Sequence, residues 1–552
     1  MELARDLRGI QPREIGLDFQ IFEIHDAVGY RHHDPFPGVG RLGSSATERH
    51  QEQREYENQY HSWTSRGEWF PLHRRFASEG KQMHIFQPIV NTSRPSISRP
   101  DLWGVCGMIA LLVLVLLMGS DNVVPELPPD WRCGYLVQDL RTGRCLLSRD
   151  PDRYFRPAST VKLVTTLLAM RTLGPSWVYR TEILVDTLEE SIYLVGSGAP
   201  LLSAEDVVRA AYETAAALPH RDVWKVYYDV SAFEEEPHCL GWHRADWDRT
   251  YCPPIEALCI GDNVLEIILG TRDGELKIFT YPPLPDLQLR SGLILGGSES
   301  LRVEVEGWDS GLPSITLEGG LPSDTSLILY KPFAGAPFEL ASWLGECLRR
   351  AGLDVSRPMS RDIEPAGTLL TTAVMYSDPM FVILTSMNKW SRNMVAEQVL
   401  RTVALEEHGE PASTGAGCDL AGAMLGRMVP GSAGLALADG SGLSRLNRLT
   451  PRHLVAVLEE GASSTEFGPE FLATLPVNGM DGTLGGRLGS LPPGSFRGKT
   501  GTLGDTSALA GLLVTESGKR LLVAIIIEIP KGMVYRARRW QDRFVENLYS
   551  SY

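Results

Sequence analysis

Ser159 and Lys162 form the first pair of residues in this 552-residue chain whose types and spacing could do chemistry. Apolar residues with helical spacing follow them, and residues three apart share one face of a helix, so the hydroxyl and the amine can meet. The free amide groups at a helix N-terminus help lower the pKa of a lysine and stabilise an oxyanion. A serine beside a neutral lysine is an activated nucleophile. The alternative is a serine that only caps the helix, and the S-x-x-K patterns that begin at Ser78 and Ser386 show that this pattern alone is weak.

Ser391 and Asn393 form a second candidate pair. A hydroxyl and a carboxamide two residues apart can project from a loop into the same cleft. There the serine could relay a proton to a leaving group while the asparagine holds an amide. The alternative is an ordinary loop at the start of a helix.

Lys499, Thr500, Gly501 and Thr502 contain the chain's only Lys-Thr-Gly motif, within a run that is predicted to be a strand. Alternate side chains of a strand point to opposite faces, so Lys499 shares a face with Gly501, and Thr500 with Thr502. The glycine lets a substrate backbone approach closely, and the lysine supplies positive charge for a carboxylate. We therefore expect a substrate-binding edge strand, against the alternative of an ordinary strand.

The order of the three motifs, Ser159-x-x-Lys, then Ser391-x-Asn, then Lys499-Thr-Gly, resembles the signature of penicillin-binding proteins and serine β-lactamases. The flanking residues are similar to one branch, the class C low-molecular-mass penicillin-binding proteins, which are D-alanyl-D-alanine carboxypeptidase/endopeptidases. The segments that carry this closer resemblance are 155–163, 387–397, 439–448 and 498–503, with further similar landmarks at 193–200 and 262–263. One departure is Ala199, where the family commonly has an acidic residue.

The resemblance implies roles for the motif residues. Ser159 would be the acylated nucleophile and Lys162 the general base, while Ser391 and Asn393 would complete the catalytic group. Lys499, Thr500 and Thr502 would recognise the substrate's terminal carboxylate, and the backbone amides of Ser159 and Thr502 would form the oxyanion hole. The turn at 439–442 is interpreted as structural support for the cleft wall. Neither a metal nor a cofactor is implied.

The activity implied by this resemblance is acyl transfer on peptidoglycan stem peptides that end in D-Ala-D-Ala, with β-lactams as inhibitors. Two alternatives stay open. One is a serine β-lactamase or esterase, which the long gap between Ser159 and Ser391 disfavours. The other is a catalytically inactive sensor that binds penicillin or cell wall, which the intact set of motifs disfavours.

The elements that must position these residues indicate an α+β fold. A hairpin at 135–148, a helix after Ser159 and three strands within 496–527 predict a transpeptidase-like domain with an antiparallel sheet flanked by helices. Residues 122–180 and 366–552 are assigned to this domain. Between them, residues 181–365 are predicted to be mainly β with one helix at 204–216. The resemblance implies that this block is an accessory insert of two small domains.

The N-terminal part of the chain predicts export. Residues 103–118 carry no charge, and 16 residues of helix span about 24 Å, which suits a signal-peptide core or a short membrane anchor. Arg94 and Arg99 precede this segment and acidic residues follow it, so the positive-inside rule leaves the N-terminus in the cytoplasm and the rest in the periplasm or cell envelope. Residues 1–100 lack any sustained period and are interpreted as a poorly ordered extension.

Composition excludes several other classes of protein. With 43% hydrophobic and 22% charged residues the chain is an ordinary globular protein, and its net charge of −15 argues against binding to nucleic acid. The eight cysteines show no C-x-x-C pair. Residues 238–243 with Cys252 could suggest a metal site, but no second pair of ligands with suitable spacing completes it, so loop packing is favoured.

Overall fold

The structure of this protein is a computed structural model that describes residues 123–552 except 219–222, 235, 273–274, 286, 297–299, 307–313, 324–325, 334, 361–368 and 410. The predicted extension at 1–100 and the apolar segment at 103–118 lie outside the described residues. Within the ranges that are described, no helix is both long enough and apolar enough to cross a membrane.

The described part of the chain contains sixteen strands and nine helices. The strands are β1 (Arg132–Asp139), β2 (Cys145–Arg149), β3 (Arg180–Asp186), β4 (Ser191–Val195), β5 (Lys225–Asp229), β6 (Val264–Arg272), β7 (Glu275–Tyr281), β8 (Gln288–Leu295), β9 (Arg302–Glu306), β10 (Ser314–Leu321), β11 (Ser326–Pro332), β12 (Met359–Ser360), β13 (Leu370–Tyr376), β14 (Phe496–Leu503), β15 (Thr506–Val514) and β16 (Arg520–Glu528). The helices are α1 (Val161–Thr172), α2 (Ala204–Ala217), α3 (Ala336–Arg350), α4 (Met380–Trp390), α5 (Asn393–His408), α6 (Thr414–Met428), α7 (Pro451–Ser463), α8 (Gly468–Thr474) and α9 (Val534–Ser551).

The main sheet is antiparallel with strand order β14-β15-β16-β1-β2. The predicted hairpin and the three predicted C-terminal strands all belong to it. Alternate residues of β16 enter two different cores, Leu522 and Ala524 on the side of α7, and Leu521 and Val523 on the side of α9. Because both faces of the sheet are covered, its central strands are continuously apolar rather than alternating.

Helix α1 lies at the centre of the helical layer. All of its residues from Val161 to Met170 are buried, against α4, α5, α6 and α7. A helix that is buried on all sides belongs to the core even though α1 also carries Lys162, Thr165 and Thr166, and its position is therefore tightly constrained. Helices α6 and α8 were not singled out in the sequence, and α6 contains four glycines that weaken its helical propensity.

The insert is built from three sheets, with orders β12-β5-β4-β3-β13, β11-β6-β7 and β8-β10-β9, and from α2 and α3. One apolar cluster takes residues from all three sheets, from Ile183 to Met375. The sequence boundary at 365 places β13 in the second part of the catalytic domain, whereas β13 pairs with β3. Ala373 and Met375 pack in the core of the insert. Their alternating pattern predicts that they share one face of a strand, but it does not predict which core that face covers. The 15-residue helix α3 was also not expected in a mainly β block.

Candidate active site

Ser159 lies in a single 3-10 turn, Ala158–Thr160, that leads directly into α1. Ala158 has a φ of 49°, a left-handed conformation that is uncommon for residues other than glycine. Two glycines make this turn possible by close approach. A Cβ on Gly442 would lie 1.9 Å from the carbonyl oxygen of Ala158, and a Cβ on Gly501 would lie 2.9 Å from that of Pro157. The turn therefore holds Ser159 between the 439–442 segment and strand β14.

Lys162 is fully buried, and its ammonium group reaches three acceptors. Nζ lies 3.3 Å from Ser159 Oγ, 2.7 Å from Asn393 Oδ1 and 2.8 Å from the carbonyl oxygen of Ser441. Burial lowers the pKa of Lys162 to about 7, although the nearby carboxyls of Asp439 and Glu397 oppose the shift. A lysine with this pKa is neutral in a large fraction of molecules at neutral pH, as a general base must be.

Two buried carboxyl groups hold the turn that binds Lys162. Glu397 accepts hydrogen bonds from the backbone nitrogens of Gly440 (2.9 Å) and Ser441 (2.8 Å), and burial raises its pKa to about 7. Asp439 accepts a hydrogen bond from the backbone nitrogen of Gly442 at 2.8 Å. Both carboxyls fix the backbone of the turn whose Ser441 carbonyl binds Lys162, in line with the structural role predicted for residues 439–442.

Ser391 lies on the two-residue connection between α4 and α5, and Asn393 follows at the start of α5. Ser391 ends α4 in a left-handed conformation (φ 58°, ψ 36°), and Asn393 is the first residue of α5. The amide group of Asn393 bridges two elements, because Oδ1 accepts from Lys162 and Nδ2 donates to the carbonyl oxygen of Tyr251 at 2.7 Å. Ser391 Oγ instead accepts a hydrogen bond from Lys499 Nζ at 2.8 Å.

Lys499 on β14 is as deeply buried as Lys162. Its Nζ donates to Ser391 Oγ and to the carbonyl oxygen of Thr500 at 2.9 Å. Burial, followed by the charge of Lys162, holds the pKa of Lys499 well below its usual range. An anion that binds next to such a desolvated lysine stabilises the charged form of the lysine, so the site favours anion binding.

The threonines of the motif face other polar side chains. Thr500 Oγ1 donates to Thr483 Oγ1 at 2.8 Å, and Thr502 Oγ1 accepts from Arg538 at 3.0 Å. A Cβ on Gly501 would lie 3.0 Å from the backbone nitrogen of Ser159, so β14 runs directly beside the nucleophile. The pairing of the amides of Ser159 and Thr502 stays a prediction.

The three motifs therefore meet in one cleft. The competing pattern at Ser386 does not form a serine–lysine pair, because Lys389 Nζ binds Asp481 at 2.6 Å and Ser386 Oγ accepts from Arg392 at 2.7 Å. The pattern that begins at Ser78 lies outside the described residues. No cluster of three or more histidine, cysteine or acidic side chains suited to a metal ion occurs in the described ranges.

Sequence reasoning missed the contribution of the insert to this cleft. Trp242 Nε1 donates to Asp439 Oδ2 at 2.9 Å, the Tyr251 carbonyl holds Asn393, and Asp262 forms an ion pair with Arg392. The only signal in the sequence was the family landmark at 262–263, which carried no stated role. Arg392, between the two motif residues, is directed to the insert and keeps only 11% of its side chain exposed.

This arrangement can carry out acyl transfer. It combines a half-buried serine, a lysine of lowered pKa at hydrogen-bond distance, and a second serine that accepts from a second buried lysine. Such a set can activate a hydroxyl for attack on a carbonyl and deliver a proton to the leaving group, without a cofactor.

Comparison with known proteins identifies relatives over most of the chain. A D-alanyl-D-alanine carboxypeptidase of Actinomadura sp. (strain R39) is 30% identical over 415 residues, which cover 70% of this chain and 76% of that protein. The D-alanyl-D-alanine carboxypeptidase DacB of Haemophilus influenzae is 25% identical over 427 residues, 73% of this chain and 86% of its own.

The fold agrees with that of a solved structure. Penicillin binding protein 4 from Haemophilus influenzae superimposes with a TM-score of 0.65 at 22% identity, covering 78% of this chain and 98% of that one. This match confirms the predicted α+β, penicillin-binding-protein-like fold. Residues 123–545 match the family described as D-Ala-D-Ala carboxypeptidase 3 (S13), which confirms the resemblance stated from the motifs. The chain belongs to the D-Ala-D-Ala carboxypeptidase 3 (S13) family.

Proposed function

We propose that this chain is a serine-type D-alanyl-D-alanine carboxypeptidase/endopeptidase that acts on peptidoglycan stem peptides through an acyl-enzyme on Ser159. The observation that carries the proposal is the position of Lys162 Nζ, 3.3 Å from Ser159 Oγ in a buried site that lowers the pKa of the lysine to about 7. Membership of the S13 family supports the same activity.

In the first step, Ser159 Oγ attacks the carbonyl carbon between the two D-alanines, and Lys162 accepts the hydroxyl proton. The backbone amides of Ser159 and Thr502 stabilise the oxyanion that forms. Asn393 and the Ser441 carbonyl hold Lys162 in place during the transfer. The two neutral acceptors orient the amine without adding a full charge next to it.

In the second step, the amide bond breaks and D-alanine leaves. Ser391 gives its hydroxyl proton to the departing nitrogen and takes up the proton that Lys162 accepted in the first step, so Lys162 is neutral again for the attack of water. Lys499, 2.8 Å from Ser391 Oγ, supplies the neighbouring positive charge. Water then attacks the ester carbonyl and regenerates Ser159. Cleavage of a D-alanyl–diaminopimelate crosslink uses the same steps with another amine as the leaving group, so one site can perform both reactions.

Recognition of the substrate falls to strand β14. The terminal carboxylate of D-alanine pairs with Lys499 and Thr500, whose low-dielectric surroundings strengthen a charge-assisted hydrogen bond. A β-lactam presents a carboxylate and a strained amide in a similar relation, so it acylates Ser159. A structure of the related Haemophilus influenzae protein is described as complexed with a β-lactam, which supports this extension.

We further propose that the chain is exported to the cell envelope by residues 103–118, acting as a signal sequence or as a single anchor. The charge asymmetry around that segment supports this orientation. Expression of the full chain in its host, followed by fractionation and protease access in intact spheroplasts, tests it. Protease protection of the catalytic domain would contradict export.

The function is tested by an intact-mass time course of the full chain with benzylpenicillin, alongside Ser159→Ala. The matched control is Ser517→Ala, an exposed serine in the turn between β15 and β16. We expect a lasting adduct in the wild type and in Ser517→Ala but not in Ser159→Ala, together with release of D-alanine from a D-Ala-D-Ala peptide. An adduct that disappears within seconds while penicillin is consumed would instead indicate a β-lactamase. Neither adduct nor D-alanine release would indicate the inactive sensor.

A further inference from the structure

The residue between Ser391 and Asn393 faces away from the reaction and into the insert. Arg392 Nε donates to Asp262 Oδ2 at 2.6 Å, and Arg392 NH2 lies 2.6 Å from Asp262 Oδ1. A third nitrogen, NH1, donates to Ser386 Oγ at 2.7 Å. The guanidinium thus makes a two-point contact with the carboxylate and also binds the preceding helix.

This ion pair is buried, with side-chain exposures of 11% for Arg392 and 9% for Asp262. Exposed ion pairs contribute little to the stability of the folded state. Loss of one partner of a buried pair, by contrast, leaves an uncompensated charge that water does not solvate well. Asp262 itself has a left-handed backbone (φ 61°), so the carboxylate is presented by a tightly defined turn of the insert.

The ion pair lies next to an unfavourable backbone conformation. Ser391 has a φ of 58°, a left-handed conformation that is sterically unfavourable for a residue with a Cβ. Such a conformation persists only where the surroundings over-determine it. On one side, the backbone nitrogen of Arg392 donates to the Met387 carbonyl at 3.1 Å, and on the other its side chain is held by Asp262.

The insert also holds the helix that follows. The Tyr251 carbonyl accepts from Asn393 Nδ2 at 2.7 Å, and the Glu256 carbonyl accepts from Gln398 Nε2 at 2.8 Å. The first turns of α5 are therefore held by residues that lie more than a hundred positions earlier in the chain.

We propose that the Arg392–Asp262 ion pair is a positioning device of the insert, which holds Ser391 in the conformation that places its Oγ against Lys499 Nζ. Arg392 and Asp262 touch neither substrate nor the reacting atoms, so they are positioning residues. The inference rests on the proposed function, because it concerns the proton that Ser391 delivers to the leaving group.

The effect of this ion pair on the acylation rate should depend on the leaving group of the substrate. An amide nitrogen must be protonated as it leaves, whereas a thiolate leaves without a proton. Loss of Ser391 placement should therefore slow acylation by an amide substrate far more than acylation by a thioester with the same acyl group. A general loss of folded protein would slow both equally.

The experiment measures acylation by an acyl-D-Ala-D-Ala peptide and by its thioester analogue, whose leaving thiolate carries the same carboxylate. The variants are Asp262→Asn, Arg392→Gln and Arg392→Lys in the full chain. We expect the amide-to-thioester ratio of kcat/KM to fall about 10- to 100-fold in Asp262→Asn and Arg392→Gln. Arg392→Lys keeps the charge but loses the two-point contact, so its ratio should fall less.

The matched control is Asp542→Asn, which breaks a partly buried ion pair with Arg487 (2.6 Å) away from Ser391. Its melting temperature should fall while its ratio stays at the wild-type value. Because the ratio is taken on one preparation, it does not depend on the folded fraction, and Arg392→Lys provides a milder variant if a neutral one does not accumulate.

Failure of the proposed function and failure of the positioning role give different results. If the wild type turns over neither substrate, the proposed function is wrong. If the wild type turns over both but the variants that fold keep its ratio, the ion pair is only a structural support and the positioning role is overturned.

Discussion

Lys162 and Lys499 belong to the same site and are equally buried, yet their neighbours differ. Lys162 has two carboxyls behind it, those of Glu397 and Asp439, which oppose the effect of burial and leave its pKa at about 7. The neighbouring charge that acts on Lys499 is that of Lys162, which is repulsive and lowers its pKa further.

Two lysines in one site can therefore serve two different purposes. A lysine whose pKa lies near neutrality can accept and return a proton within one catalytic cycle. A lysine that is desolvated beside another cation is instead prepared for an anion, because a bound carboxylate restores the interaction that burial removed. We therefore assign Lys162 to proton transfer and Lys499 to binding of the carboxylate, and the following predictions test that division.

The largest effect is expected for Lys162→Ala. Removal of the general base should lower the rate of acylation by benzylpenicillin about 10²- to 10⁴-fold, because Ser159 then attacks as an unactivated hydroxyl. Stopped-flow or intact-mass kinetics measure this rate, with the exposed Lys519→Ala as the control that keeps the wild-type rate. A loss below tenfold would remove Lys162 from the role of base.

Lys499→Ala should act chiefly on substrates that carry a carboxylate. We expect kcat/KM for a peptide that ends in D-Ala-D-Ala to fall about 10- to 100-fold relative to the same peptide with a terminal carboxamide, since a hydrogen bond to a charged group is lost. Steady-state kinetics on the two peptides measure the ratio. Equal losses on both peptides would show that Lys499 does not select the carboxylate.

The pH dependence of the acylation rate tests the role of Lys162 without mutation. Lys162 can accept a proton only when it is neutral, so the rate of acylation should level off above its pKa of about 7 and fall about tenfold per pH unit below it. A profile of acylation by benzylpenicillin from about pH 5 to 9 reports this limb. A rate that stays constant across that range would contradict a base with this pKa.

The smallest effect is expected for Glu397→Gln. The charge of Glu397 raises the pKa of Lys162, so its removal should move the upper part of the acidic limb to lower pH by less than about one unit. The effect is confined to the region just below pH 7, because the pKa of Glu397 is itself raised to about 7 and the carboxyl is largely protonated at lower pH. The expected gain in rate on the acidic side is accompanied by lower thermal stability, since Gln offers only one acceptor to the Gly440 and Ser441 amides. A shift to higher pH would show that Glu397 does not act on Lys162 through its charge.

Much of the site could be predicted because its reactive residues occur in short motifs with the spacing of a helix or a strand. Ser159 and Lys162 are brought together by the period of one helix, and Lys499 to Thr502 by the alternation of one strand, so spacing alone indicates their faces. The main sheet was predictable for the same reason, since β15 and β16 are largely apolar runs and β14 carries the strand-like Lys-Thr-Gly motif. The order of the motifs then indicated the family that the comparisons show.

The remaining parts depend on contacts that have no local signature. The assignment of β13 to the insert, the two-point ion pair of Arg392 with Asp262, and the support of Asn393 by Tyr251 each join residues more than a hundred positions apart. Glu397 was visible only as one residue of an apolar helix, although it holds the turn that binds Lys162.

Local spacing was sufficient to predict which groups can react and on which face of a helix or strand each of them lies, because helical and strand periodicity are properties of neighbouring residues. The distances between the motifs, the burial that lowers the pKa of both lysines, and the contacts made by the insert became visible only in the folded chain. These follow from desolvation and from packing between distant segments, which depend on the whole fold rather than on local spacing.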